Sequence, residues 1–270
     1  MAPRPGPRDA MTTDLLPLML AAFSGGVVAL LLTLFGGGGS VLAVPLLLYV
    51  VGVADPHVAI GVSAAGVALN ALTALAGHAR AGRVRWPCAT LFAVTGAAGA
   101  WAGSSLAKMI DGHQLLLIFA LAMAAVGLSM LRPRVAVVRP EPTLSLAMAP
   151  RVGLAGAGVG SAAGFFGIGG GFLIVPGLMA STGMSLATAQ ATSLLSVAAF
   201  GATTAGNYAL SGWVDIGLVA AMTAGGVVGT VAGLPLARRL GANAALGRTL
   251  FAGLILVVAA YVAVRAVMAL

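Results

Sequence analysis

The chain has 270 residues and a mass of 26.4 kDa; 60% of the residues are hydrophobic, only 7% are charged, and the mean hydropathy is +1.07. Soluble domains carry roughly a quarter charged residues, so there is too little polar side chain to cover a globule in water, which excludes a soluble enzyme, a nucleic-acid reader and a disordered tail. Fourteen Lys and Arg against six Asp and Glu, a net charge of +8, is the imbalance of a polytopic membrane protein whose inner loops carry Arg.

Residues 1–14 are polar and Pro-rich and read as a tail without a cleaved signal peptide. Beyond them the charges punctuate apolar runs. Asp14 to Asp55 encloses 40 uncharged residues, Asp55 to Arg80 encloses 24, Arg85 to Lys108 encloses 22 and Asp111 to Arg132 encloses 20. In the second half Arg151 to Asp215 encloses 63, Asp215 to Arg238 encloses 22 and Arg248 to Arg265 encloses 16. A run of about 20 suits one helical crossing, so the longest runs must be subdivided. Leu15 to Phe35 is followed by glycines 36–39 and then by a short apolar arm, Val41 to Val53. Three full-length segments complete this half. Residues 132–151, with Pro133, Pro140, Pro142, Pro150 and several Arg, form a basic linker. After it the order repeats: Val152 to Phe166, a second glycine break at 167–171, a short arm from Phe172 to Gly183, and three longer segments.

The repetition extends to individual residues. Phe35 to Pro45 aligns with Phe166 to Pro176 at an offset of 131, with seven of eleven positions identical. After a one-residue deletion Ser63 meets Ser193, Gly82 meets Gly212 and Val84 meets Val214, and Gly96, Gly99 and Gly103 meet Gly226, Gly229 and Gly233. The expected fold is therefore an all-α polytopic membrane protein of two homologous halves, 15–131 and 152–270. Each half has a Gly/Pro-broken helical hairpin plus three transmembrane helices.

Paired, interrupted segments at matching positions point to a binding site in repeat-built transporters. Broken backbone in lipid leaves amides unpaired, so it must face protein, water or ligand. Helices restarting at Ser40 and Gly171 would present free N–H groups and a positive partial charge of about half an electron, which favours an anion. The neighbourhood adds only neutral groups, whereas a cation pathway would be expected to hold Asp or Glu. The candidate substrate-binding residues are Gly38, Gly39, Ser40, Gly169, Gly170 and Gly171 through their backbone amides. Ser63, Thr192 and Ser193 contribute hydroxyls, and Asn70 and Asn207 contribute amides. Blander roles stand beside these. Hydroxyls in helices commonly back-bond to carbonyls, buried amides can be interhelical glue, and Gly96, Gly99, Gly103 and their copies read as close-packing positions. His78, Trp86 and Trp213 read as interfacial, and the single cysteine, Cys88, as inert packing.

The doubled Phe-Gly-x-Gly-Gly-x-x-Leu-x-Val-Pro element, Ala191-Thr192-Ser193 and the stretch Asn207 to Asp215 resemble the TauE/SafE sulfite exporter family, also called TSUP. The resemblance covers roughly Leu15 to Val264. It implies a permease or exporter of a small sulfur-containing anion, sulfite, sulfoacetate or another organosulfonate, working by alternating access in the bacterial cytoplasmic (inner) membrane. The implied partners are a small anionic substrate, the lipid bilayer, protons or the membrane potential as driving force, and a second copy in a homo-oligomer. The first copy departs from the second: His78 and Arg85 stand where it has Tyr208 and Asp215, and Gly61-Val62-Ser63 replaces Ala-Thr-Ser. No catalytic residue, metal site or cofactor is expected, because scattered His, one Cys and interfacial Asp make no constellation. An anion channel, or a non-transporting membrane subunit or sensor, stays open as an alternative.

Charge does not settle topology. A re-entrant hairpin gives three crossings per half and inverted halves, with ten Lys and Arg on one side against four. A first arm that crosses fully gives parallel halves and again ten against four. Inversion, which would aim two helix tips at one anion and leave the termini periplasmic, is the expected arrangement.

Overall fold

The computed structural model describes residues 15–131, 145, 147–167, 171–240 and 244–268. Among them are ten α-helices and no strand. These are α1 Leu15–Phe35, α2 Ala43–Leu46, α3 Pro56–Arg80, α4 Trp86–Ala107, α5 Gly112–Leu131, α6 Ala149–Phe166, α7 Gly171–Thr182, α8 Leu186–Ala209, α9 Ile216–Leu240 and α10 Ala244–Met268. Four of them, within α1, α3, α8 and α9, are long and apolar enough to cross a membrane. Large apolar side chains line the outside, with Val94 71%, Val228 69% and Val257 68% exposed. In water such a periphery would aggregate, whereas in lipid it is the expected surface. The chain is an all-α polytopic membrane protein.

The helix ends follow from local chemistry. Asp55 caps α3, its carboxylate accepting the His57 amide at 2.8 Å with Pro56 at the first helical position. Asp215 accepts the Leu218 amide at 2.9 Å as α9 begins, and Asp111 accepts the His113 amide at 2.9 Å as α5 begins. All three acids among the described residues therefore sit at helix starts. The turns after α3 and α8 close alike, with Gly82 at φ 66° and Gly212 at φ 74°. Arg83 N–H reaches the His78 carbonyl at 3.2 Å and Trp213 N–H the Tyr208 carbonyl at 3.1 Å. This is the six-to-one closure that a left-handed glycine permits.

Two seams of small residues hold the helices together. α4 lies along α6, and α1 along α9. A Cβ on Gly160 would overlap the Gly96 carbonyl, one on Gly164 the Ala100 carbonyl and one on Gly103 the Ser161 carbonyl. In the other seam Gly225 abuts Ala22 and Gly229 abuts Gly26. Lipid offers no hydrophobic drive for helix pairing, so backbone approach at such residues supplies the packing. The packing role expected for Gly96, Gly99 and Gly103 is what the contacts show.

Register gives direction. Residue numbers rise together along both seams, so α4 runs parallel to α6 and α1 parallel to α9. Gly66 meets Met222 and Asn70 meets Gly226, so α3 also runs parallel to α9. Against α8 the order reverses: Gly61 lies at Tyr208 and Trp213, Ala64 and Ala68 lie at Gly201, and the Arg85 amide donates to Thr192. α5 packs on α10, and Tyr49 meets Tyr261 edge-on at 5.0 Å with the Arg265 guanidinium 5.7 Å from its ring.

Candidate functional site

The two glycine breaks fold differently. After α6, Gly167 takes a left-handed φ of 65° and caps the helix, its N–H reaching the Gly164 carbonyl at 3.2 Å. α7 then starts at Gly171 and runs 12 residues with Pro176 inside. At about 1.5 Å per residue this arm is too short for a ~30 Å core, as expected. Gly169 and Gly170 lie outside the described residues. In the first half there is no fresh helix start at Ser40. Gly36–Leu42 winds on as a 3-10 stretch, followed by the single turn of α2 and a π-helical turn, Leu47–Val51. The glycine run tolerates this tighter winding, and i→i+3 bonding occupies amides that a clean break would free. Gly38 lies within the stretch. A Cβ on Gly39 would overlap the backbone of Leu31 and Leu32, so this glycine is needed for the fold of its own hairpin.

The structure brings the breaks into one region. Gly36–Leu42 packs on α7 and α8, and Ser40 is fully buried there. The Ser63 hydroxyl, also fully buried, shares its proton between the Ile60 and Gly167 carbonyls, each at 3.0 Å. One hydroxyl of α3 thereby clasps the second break. Gly167 rests on Ile60, so this break lies beside the first two turns of α3, off the middle of the helix. Ser193 donates to the Gln190 carbonyl at 2.8 Å, and Thr192 accepts the Arg85 amide at 3.2 Å. These hydroxyls serve helix and turn carbonyls and amides, the blander role named above.

The two asparagines separate. Asn207 is interhelical glue at the far end of α8. Its Nδ2 donates to Ser104 Oγ at 2.7 Å and Ser105 Oγ at 2.9 Å, while Lys108 Nζ donates to its Oδ1 at 2.7 Å, its carbonyl at 3.1 Å and Ser211 Oγ at 3.0 Å. Asn70 is fully buried, and neither its Nδ2 nor its Oδ1 has a hydrogen-bond partner. It occupies the space beside Gly226, where a Cβ would overlap the carboxamide. Seven residues separate it from Ser63, two helical turns, so both lie on one face of α3 about 10 Å apart. An orphaned donor and acceptor in a membrane core are costly unless something occupies them.

Two groups escaped the sequence reading. Lys108 ties the end of α4 to the α8–α9 corner, and nothing in its spacing foretold Asn207 as partner. His57 stacks on Trp213 with centroids 4.8 Å apart and planes at 14°. Its only sequence signal is the Asp55-Pro56-His57 helix start. Asp111 stands at the same end, its carboxyl held below the usual range chiefly by the His113 amide. Among the described residues no cluster of His, Cys, Asp and Glu could hold a metal ion.

Comparison with known proteins adds a lineage. The family model described as sulfite exporter TauE/SafE matches residues 20–262. A probable membrane transporter protein of Xylella fastidiosa, strain Temecula1, is 46% identical over 246 residues, covering 91% of this chain and 94% of the relative. Its counterpart in strain 9a5c is 45% identical over the same length. No solved structure matches the chain.

Proposed function

Because the chain belongs to the sulfite exporter TauE/SafE family, we propose that this membrane transporter moves a small sulfur-containing anion, sulfite, sulfoacetate or a related organosulfonate, by alternating access across the bacterial cytoplasmic membrane. The observation that carries the choice of an anion is the buried carboxamide of Asn70. It offers unpartnered N–H donors between the Ser63 clasp and α9, on helices that hold no carboxylate. The anion lies along this face of α3, between the two breaks. The start of α7 at Gly171 and the helix faces that carry Ser63, Thr192 and Ser193 flank its approach.

The two halves, 15–131 and 152–270, are related by inversion. Supporting this, α3 runs antiparallel to α8, its counterpart in the repeat, while α1 and α3 both run parallel to α9. The hairpin between α1 and α3 then enters and leaves on one side, and three crossings remain per half. Among the described residues Arg80, Arg83, Arg85, Arg151, Arg238, Arg239 and Arg248 then fall at one face and Lys108 and Arg265 at the opposite one. The first set faces the cytoplasm. In cells carrying the Cys88→Ala background, Asp111→Cys is expected to react with an impermeant maleimide from outside and Arg83→Cys only after lysis. The reverse pattern would overturn the orientation.

Transport is tested with purified protein in liposomes against sulfite, thiosulfate, sulfate, sulfoacetate and taurine. Saturable uptake with counterflow of at least one sulfur anion is expected, counterflow separating a carrier from a channel. No flux of any of them under a membrane potential of either sign would overturn the proposal.

A further inference from the structure

At the end of the molecule that carries Asp55, Asp111 and Asp215, three rings from the two halves meet. His57, at the start of α3, stacks on Trp213, from the corner between α8 and α9, at 4.8 Å and 14°. The Tyr208 ring lies 6.1 Å from His57 and 5.8 Å from Trp213. Tyr208 is fully buried and its hydroxyl has no hydrogen-bond partner. The Nδ1 atom of His57 is likewise buried without a partner. Gly61 seats α3 tightly on this corner, since a Cβ there would overlap the Trp213 carbonyl and lie 3.2 Å from Tyr208 Cβ. Two unpartnered polar groups thus lie at the joint between the halves, where an alternating-access carrier must open.

We propose that His57, stacked on Trp213 beside the buried Tyr208 hydroxyl, is a proton-binding site whose protonation opens the contact between α3 and the α8–α9 corner. This deepens the transport reading above and rests on it. The step is the binding of one solvent proton by the Nδ1 lone pair, forming an N–H bond and an imidazolium. An imidazole is the side chain whose charge changes between about pH 5 and 8.

The surrounding charges give the direction. On its own segment, the Asp55 carboxylate accepts the His57 amide. From α5, whose Gly112 abuts Pro56, Asp111 is engaged by His113, amide at 2.9 Å and Nδ1 at 3.5 Å. From α9, Asp215 accepts the Leu218 amide, and from α4, Lys108 is bonded to Asn207 and Ser211. From α8 the facing titratable group is Tyr208. Nδ1 is buried without a partner against the Trp213 and Tyr208 rings, so a proton there brings a charge into the joint that the Asp55 carboxylate on the same segment compensates only in part. Attraction to the Trp213 face offsets part of that penalty. The remainder favours a state in which the ring reaches water. Neutral His57 favours the closed joint, in which its ring stays stacked on Trp213.

The test uses the full-length protein with Trp86→Phe and Trp101→Phe, which leaves Trp213 as the single tryptophan. Its emission is expected to change between about pH 5 and 8, and to be flat with pH once His57→Gln is added. In liposomes, net flux of the panel anion with the best counterflow is expected to rise about tenfold as the pH falls across that range, within the usual span of linkage coupling. His57→Gln removes that rise while keeping counterflow. Tyr208→Phe shifts the midpoint of the emission change without abolishing it. Persistence of either pH response in His57→Gln, or pH-insensitive net flux alongside intact counterflow in the parent, overturns the proton site alone. Absence of counterflow for every panel anion in the parent overturns the transport reading and this one together.

Discussion

Gly160→Val is expected to lower stability by about 3 kcal/mol or more, placing it in the damaging tail of point substitutions. The reason is geometric. The new Cβ would overlap the Gly96 carbonyl of α4, which is backbone and cannot rotate aside. The seam has no slack elsewhere, because Gly164 and Gly103 meet the facing backbone equally closely. α4 and α6 would have to separate along their length, losing the dispersion contacts that hold helices together in lipid. Gly158→Val, on the same helix, is the matched control. Nothing lies within 4 Å of the position its Cβ would take, so a change within about 0.5 kcal/mol is expected. Thermal unfolding of both variants in one detergent is the measurement. Equal midpoints would show that the seam yields more readily than its backbone contacts imply.

Asn70→Leu is expected to separate function from folding. Leucine has the same number of side-chain heavy atoms as asparagine with the same branching, and it removes a buried donor and acceptor that have no partner. Replacing such groups by an apolar side chain is neutral to stabilising, by about 1 to 3 kcal/mol of relieved desolvation. If the carboxamide holds the anion, flux falls at least about tenfold, the loss of one good hydrogen bond to a charged group. The thermal midpoint stays level or rises. Undiminished flux with raised stability would show that Asn70 is not a substrate contact. Diminished flux with a collapsed midpoint would mean that the amide holds the fold through water.

Gly39 illustrates how a glycine motif conceals two roles. Its place in the doubled Phe-Gly-x-Gly-Gly element marks it as a backbone donor, yet in space it admits the last turns of α1 against the 3-10 stretch. A bulky residue there would report on hairpin folding before it reported on transport. The residue pattern at the two breaks is nearly the same, but one is wound continuously and the other is capped at Gly167 by a left-handed turn. Ser40 stands at the position of Gly171, and Gly37 at that of Ile168, two of the four positions at which the copies differ.

Membrane residence, helical class, the short second arms and the close-packing glycines were all legible in the residues. Each depends on local quantities: hydropathy over one crossing, the length of an apolar run, the absence of a Cβ. The interfacial Asp residues belong to the same class, because a carboxylate beside a free helix start needs only its own next few amides. The direction of the halves was different. Ten basic residues against four follow from either topology, so charge alone is degenerate. The register of α3 against α8 and α9 is what supports the inverted arrangement proposed above, because packing direction is a property of pairs of helices. The same holds for the partners of polar groups. Asn70 and Asn207 are chemically identical, yet one is bonded on every side and the other on none. Which of them meets Lys108 and two serines, and which meets Gly226, is set by how distant helices rotate against one another. No periodicity along a single chain segment encodes that rotation, and the same rotation brings His57 to Trp213 and Tyr208.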